Sequence, residues 1–171
     1  MTDVKSIFDT IGGFDFFSQL PDEDVELIAG CGRNARFEAG QYLAREGAPA
    51  DSFFVIRTGS VAIELYVPGL GSRVLETLHA GDIAGWSWIF PPYVWTFDIR
   101  AAEDVRTVAF DGKCLRGKCS QNPALGYRLT QRFAQVMSER IRMTRFRLLD
   151  LYSNRAGAQA GLSEPDSKPG D

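Results

Sequence analysis

The sequence predicts a mainly β fold with flanking helices: a β-roll of the jelly-roll (double-stranded β-helix) type, followed by a long C-terminal helix. Three observations carry this. Between Ala35 and Phe110 apolar residues recur with period two and glycines break the runs, the texture of short strands joined by tight turns. Before that stretch the signals are helical. After it, Asn122-Pro123 opens a run whose apolar positions step by four residues and later by three and four. A length of 171 residues suits one domain with its own core.

The elements follow in order. Asp3 to Leu20 is apolar-rich and reads as a short helix plus a turn. Leu20-Pro21-Asp22-Glu23 marks a helix start, with proline early and acids in the first turn, against the positive end of the helix dipole. That helix runs to about Ala29 and stops at Gly30. Strands are expected near 34–38, 41–45, 53–57, 60–67, 73–79 and 104–110, broken at Gly40, Gly47, Gly59, Gly69, Gly71 and Gly81. Asp111-Gly-Lys-Cys-Leu starts a short helix. Asn122 caps the long one, with Pro123 in its first turn. The seam of the long helix includes Leu125, Leu129, Phe133, Met137, Ile141, Leu148 and Leu151, with Thr144 falling on it. Its other face carries Arg128, Arg132, Arg140, Arg142, Arg145 and Arg147, read as a solvated face. The helix should reach about Tyr152. The chain thus divides into a helical segment (1–33), a β-roll (34–110), C-terminal helices (111–153) and a tail (154–171) whose glycine, proline, serine and charge predict disorder.

Composition excludes several classes. A net charge of -3 gives the whole chain no pull toward nucleic acid. The N-terminus MTDVKSIFDT lacks the apolar stretch of a signal peptide, and no run approaches the length of a membrane span. A cytoplasmic protein with no membrane partner is expected. Three cysteines, Cys31, Cys114 and Cys119, are an odd count, which in that compartment predicts reduced thiols. Cys114 and Cys119 are not a CxxC pair, and on a helix they point in different directions. No nucleophile elbow, metal-ligand spacing or P-loop is present, and Asp22, Glu23 and Asp24 read as helix N-terminal charges, so no enzyme is expected. His79 is the only histidine and has no cysteine cluster near it, so neither a metal nor a haem cofactor is expected.

Several short motifs now matter together. They are Phe37-x-Ala39-Gly40-Gln41, Arg45-Glu46-Gly47-Ala48-x-Ala50-Asp51-x-Phe53-Phe54-Val55-Ile56, Thr58-Gly59-Ser60-Val61 and Gly81-Asp82-Ile83. In this order the chain resembles, over about residues 14 to 152, the cyclic-nucleotide-binding domain of the catabolite activator protein and fumarate-nitrate regulator superfamily. The resemblance implies a cyclic-nucleotide-binding-like β-roll and a C-terminal dimerisation helix. It also implies a phosphate-binding cassette after Gly81, in which backbone N–H groups face a cyclic phosphate, a glutamate takes the ribose hydroxyl and an arginine pairs with the phosphate.

The cassette departs from that pattern. Gly85-Trp-Ser-Trp-Ile-Phe-Pro-Pro-Tyr-Val-Trp-Thr-Phe97 fills the stretch, and no charged residue stands between Asp82 and Asp98. The family's glutamate falls near Trp86 and its arginine near Trp95 or Thr96. Arg100 comes several positions too late and reads as a strand residue. A buried phosphate without a paired cation costs several kcal/mol, so ordinary cyclic AMP or cyclic GMP is not the expected ligand and no nucleotide cofactor is expected, while a phosphate site built from backbone N–H groups alone stays open. Gly85, Trp86, Ser87, Trp88, Tyr93, Trp95 and Thr96 are the ligand-pocket candidates. Three readings of the aromatic side chains stay open: they plug the old pocket, they stack a flat apolar ligand, or they form an exposed patch that docks a protein partner.

In relatives the long helix forms a parallel dimer seam, so a homodimer is expected through Leu129, Phe133, Val136, Met137, Ile141, Thr144 and Leu148. The first of these turns can instead pack on the chain's own roll. A short variant without the helix-turn-helix domain of the superfamily is expected, since only 18 residues follow Ser153. The function expected is a stand-alone regulatory or sensor module acting through a partner or a non-standard ligand, with no DNA bound by this chain alone. The alternative is a cyclic-AMP-responsive transcription regulator working with a separate DNA-binding component.

Overall fold

The computed structural model describes the backbone of residues 4–160 and the side chains of 6–153. Three helices come first: α1 (Val4–Ile11), α2 (Asp15–Ser18) and α3 (Asp22–Ala29). Eight strands follow: β1 (Gly32–Phe37), β2 (Tyr42–Ala44), β3 (Ser52–Thr58), β4 (Val61–Val67), β5 (Gly71–Leu78), β6 (Ile83–Ala84), β7 (Asp98–Ala101) and β8 (Val105–Asp111). Two helices close the chain, α4 (Gly112–Gln121) and α5 (Pro123–Ala160). The strands form two four-stranded antiparallel sheets, ordered β1-β8-β3-β6 and β2-β7-β4-β5. This is the expected roll, with β6 and β7 added and β1 beginning two residues early.

β3, inside the sheet β1-β8-β3-β6, is buried on both faces, which is why Phe53-Phe54-Val55-Ile56 is a continuous apolar run rather than an alternating one. Strand alternation sends Phe54, Ile56 and Ala109 into the roll, where they meet Val61, Ile63 and Ile99 of the other sheet. Phe53 and Phe110 take the opposite face and stack with ring centroids 4.6 Å apart. Helices cover that outer face: Phe17 packs on Phe110, and Phe133 of α5 meets Phe53 edge-on at 5.2 Å. Small residues let α1 approach, since a Cβ on Gly32 would sit 3.0 Å from atoms of both Ile7 and Phe110.

The starts of α4 and α5 are capped by side chains. Asp111 accepts from the Cys114 N–H at 2.9 Å, and Asn122 accepts from the Leu125 N–H at 3.1 Å. The chain divides into two compact units between Phe133 and Ala134, within α5.

Three expectations are corrected. Cys31 and Cys114 are joined in a disulfide, with Cα atoms 5.8 Å apart, and only Cys119 is free. Pairing of Gly32 with Phe110, together with the Asp111 N–H to Cys31 carbonyl bond of 2.9 Å, carries Cys31 to the first turn of α4. Spatial placement therefore overrides the argument from an odd cysteine count. Arg128 and Arg132 do not lie on a solvated face. Arg128 forks onto Asp24, whose carboxylate is fully buried at the start of α3, with Nη2 to Oδ1 at 2.8 Å. Arg132 is buried and donates to the carbonyls of Asp15 and Phe16 and to Gln19. Finally, α5 continues to Ala160 rather than ending near Tyr152, so the first seven residues of the expected tail are helical. Residues 161–171 lie outside the described ones.

Candidate functional site

The aromatic segment leaves one sheet at β6, from Gly85, and enters the other at β7. Between them residues 85–97 form turns with no helix. The Ile89 N–H donates to the Trp86 carbonyl, and the Tyr93 N–H to the Phe90 carbonyl across a cis Pro91–Pro92 bond. Tyr93 then takes φ 55°, the left-handed region that a side chain enters reluctantly. Arg116 of α4 holds it there, its guanidinium 4.1 Å above the ring centroid.

Two of the segment's three tryptophans, Trp88 and Trp95, are buried on opposite faces of the sheet that holds β3. Trp88 is 3% exposed, stacks on Phe53 at 5.4 Å and meets Phe133 edge-on at 5.5 Å, on the outer face of the sheet. Trp95 is 6% exposed and belongs to the core inside the roll, stacked over Phe54 at 6.4 Å. The Arg45-Glu46-Gly47 turn pins Trp95 in place. The Gly47 N–H donates to the Trp95 carbonyl at 2.8 Å, the Trp95 N–H to Ala48 at 2.9 Å, and the Ala50 N–H to Tyr93 at 2.7 Å. The Trp95 ring also presses on Gly85, which takes φ +96°.

The structure thus places the pocket candidates unequally. Ser87, Trp88 and Trp95 are buried, Gly85, Trp86 and Tyr93 are half-buried, and Thr96 is exposed. They do not converge on one cavity, because Trp88 and Trp95 face opposite sides of a sheet.

Charged groups stay out of the roll interior. Ile99 and Ala101 point into the core, so Arg100 between them points to the other face of β7. There it bonds Glu64, Nη2 to Oε1 at 2.6 Å, and the Glu64 carboxylate beside it pushes its pKa up. The sequence shows Arg100 as a strand residue but gives no sign of its partner. A second network also escapes sequence reasoning. Asp51 takes Lys113 at 3.1 Å and Arg116 at 3.5 Å, and Arg116 Nη1 donates to the Trp88 carbonyl at 2.7 Å. The Lys113 hydrogen bond is the largest influence holding the Asp51 carboxyl below its usual range.

The seam candidates divide at Phe133. Leu129 and Phe133 are buried in the chain's own core, at 2% and 0% exposure. Val136 and Met137 are half-buried, while Ile141, Thr144 and Leu148 are exposed.

The profile of the cyclic nucleotide-binding domain matches residues 35–122. The chain belongs to the cyclic nucleotide-binding domain family. It is 28% identical over 115 residues to a CRP-like cAMP-activated global transcriptional regulator of Mycobacterium tuberculosis, covering 67% of this chain and 50% of that one. The chain therefore matches only half the length of that relative. Its fold matches a cyclic nucleotide-binding protein from Geobacter metallireducens, with TM-score 0.70, 27% identity and coverage of 82% and 99%. It also matches a cyclic nucleotide-binding domain from Methylobacillus flagellatus, with TM-score 0.72, 20% identity and coverage of 86% and 83%. The domain is a regulatory module related to CRP-like regulators. No helix among its described residues is long and apolar enough to cross a membrane.

Proposed function

We propose that this domain signals without binding ordinary cyclic AMP or cyclic GMP, and that it answers to another ligand or to a protein partner. The observation that carries the reading is Trp95. Where the family resemblance puts the phosphate arginine, a buried indole fills the roll against Phe54 and Gly85. Trp86 stands at the glutamate position, and Arg100, the nearest arginine along the chain, is turned away and paired with Glu64. A cyclic phosphate there would meet apolar surface and no cation, at a cost of several kcal/mol.

The domain works as a homodimer in this proposal. Beyond Phe133, Ile141 and Leu148 are about half exposed, at 53% and 49%, and the same helix shows Leu151 and Tyr152 at 64% and 69%. A second α5 is the cover that suits a heptad-spaced stripe. The Mycobacterium tuberculosis relative favours a second reading, a cyclic-AMP-responsive regulator acting with a DNA-binding component.

One titration separates the two. Tryptophan fluorescence and thermal midpoint are followed against cyclic AMP, cyclic GMP and cyclic dinucleotides. A flat response at millimolar nucleotide is expected, and Trp95→Arg alone should not change that, since the glutamate is absent too. A saturable response to cyclic AMP favours the second reading.

A further inference from the structure

A groove of about 320 Å³ lies outside the roll, between the aromatic segment and the helices that follow the sheet. Trp88 and Tyr93 form one wall, Arg116 and Cys119 of α4 another, and Leu129 and Phe133 of α5 the floor. It is separate from the interior where Trp95 sits, because Trp88 and Trp95 occupy opposite faces of the sheet. Its size suits a small ligand of one or two rings.

The chemistry of the lining selects that ligand. The floor is apolar. The rim holds a cation with capacity to spare: two of the five donors of Arg116 serve the Trp88 carbonyl and Asp51. Asp51 is also claimed by Lys113, so two cations share one carboxylate and the local charge is positive. Arg116 is already stacked on Tyr93, which fixes its plane. Trp88, which also lines the groove, is buried at 3% exposure and gives it a rigid apolar wall.

We infer that this groove is a second binding site of the domain, and that it takes an amphipathic organic monoanion, an aryl carboxylate in shape and charge. The ring lies in the groove beside Tyr93, and the carboxylate meets the fork of Arg116. The inference deepens the reading that the domain answers to a ligand other than a cyclic nucleotide, and its signalling meaning rests on that reading. Occupancy would tie the aromatic segment to the first turns of α5.

Cys119 supplies a local readout, because it lines the groove and is the one free cysteine. The full chain is treated with iodoacetamide, and Cys119 alkylation is followed by mass spectrometry with and without 2-naphthoate, while calorimetry gives the affinity. Saturable protection at millimolar 2-naphthoate is expected, with the neutral isostere 2-naphthamide about tenfold weaker. Arg116→Lys keeps the charge but loses the fork, so it should weaken 2-naphthoate binding by about tenfold. Thr130→Trp, at an exposed position on the groove, should remove the naphthoate-dependent change in Cys119 alkylation while the thermal midpoint holds. Unprotected Cys119, or equal protection by acid and amide, overturns the site. Adding cyclic AMP keeps the two proposals apart: a cyclic AMP response overturns the reading of the roll interior, whereas persistence of naphthoate protection beside it still supports the groove.

Discussion

A Cβ added to Gly85 would lie 2.5 Å from Cη2 of Trp95. The glycine and the indole therefore define each other's position. The approach demands both the missing side chain and the φ of +96°, which only glycine adopts without strain. Gly85→Ala is expected to destabilise the domain by about 2 kcal/mol or more, from backbone strain and overpacking together. In the Trp95→Phe background the shorter ring leaves room, so the added cost of Gly85→Ala should fall by about 1 kcal/mol, leaving the backbone share. Denaturant unfolding of the four proteins measures the coupling. Strictly additive losses would show that the two residues do not press on each other.

The division of the α5 seam at Phe133 gives an opposed pair of outcomes. Ile141→Glu places a charge in the exposed stripe and should halve the mass seen by light scattering, with the fold intact. Phe133→Ala acts on the chain's own core, where it meets Phe16, Phe53 and Trp88. It should cost about 3–5 kcal/mol of stability. A full-size dimer in Ile141→Glu removes α5 as the seam.

Asp51 sets an acid limit. Its carboxyl titrates below the ordinary 3.8, chiefly because Lys113 hydrogen-bonds it, with Arg116 adding to the pull. The folded value lies below the unfolded one, so the stabilisation is fully present above the ordinary range and is lost as pH falls through the lowered value. The thermal-midpoint difference between the protein and Asp51→Asn should be constant near neutrality and shrink below about pH 4. A difference that holds unchanged down to about pH 2 would detach Asp51 from the acid response.

The roll was legible because its signals are local. Glycines at turns, acids after Pro21, and the Asp111 and Asn122 caps each act within a few residues. β6 and β7 were not legible. One is two residues long, and the other, Asp-Ile-Arg-Ala, has only half of its positions apolar and follows a loop of tryptophans. The site was half legible. Loss of the glutamate and arginine could be read directly, but nothing in the alternation of Trp88 and Trp95 says that they enter different cores. That depends on Phe53 and Phe54, adjacent residues whose side chains take opposite faces of one strand. The partners of Arg100, Arg116 and Arg128 were invisible for a related reason: they lie 36, 65 and 104 residues away in sequence.

The bond between Cys31 and Cys114 encloses every strand, from Gly32 to Asp111, in one closed loop. The two arms that leave this loop, three helices before it and the rest of α4 with α5 after it, depart from a single chemical junction. A protease that cuts any one hairpin inside the loop turns a ring into a line but sheds no fragment. Reduction removes the covalent tie but leaves the Arg128–Asp24 and Arg132–Phe16 bonds between the arms, and in the chain-entropy account it returns about 4–5 kcal/mol of freedom to the unfolded chain. The roll is closed on itself by one covalent clasp.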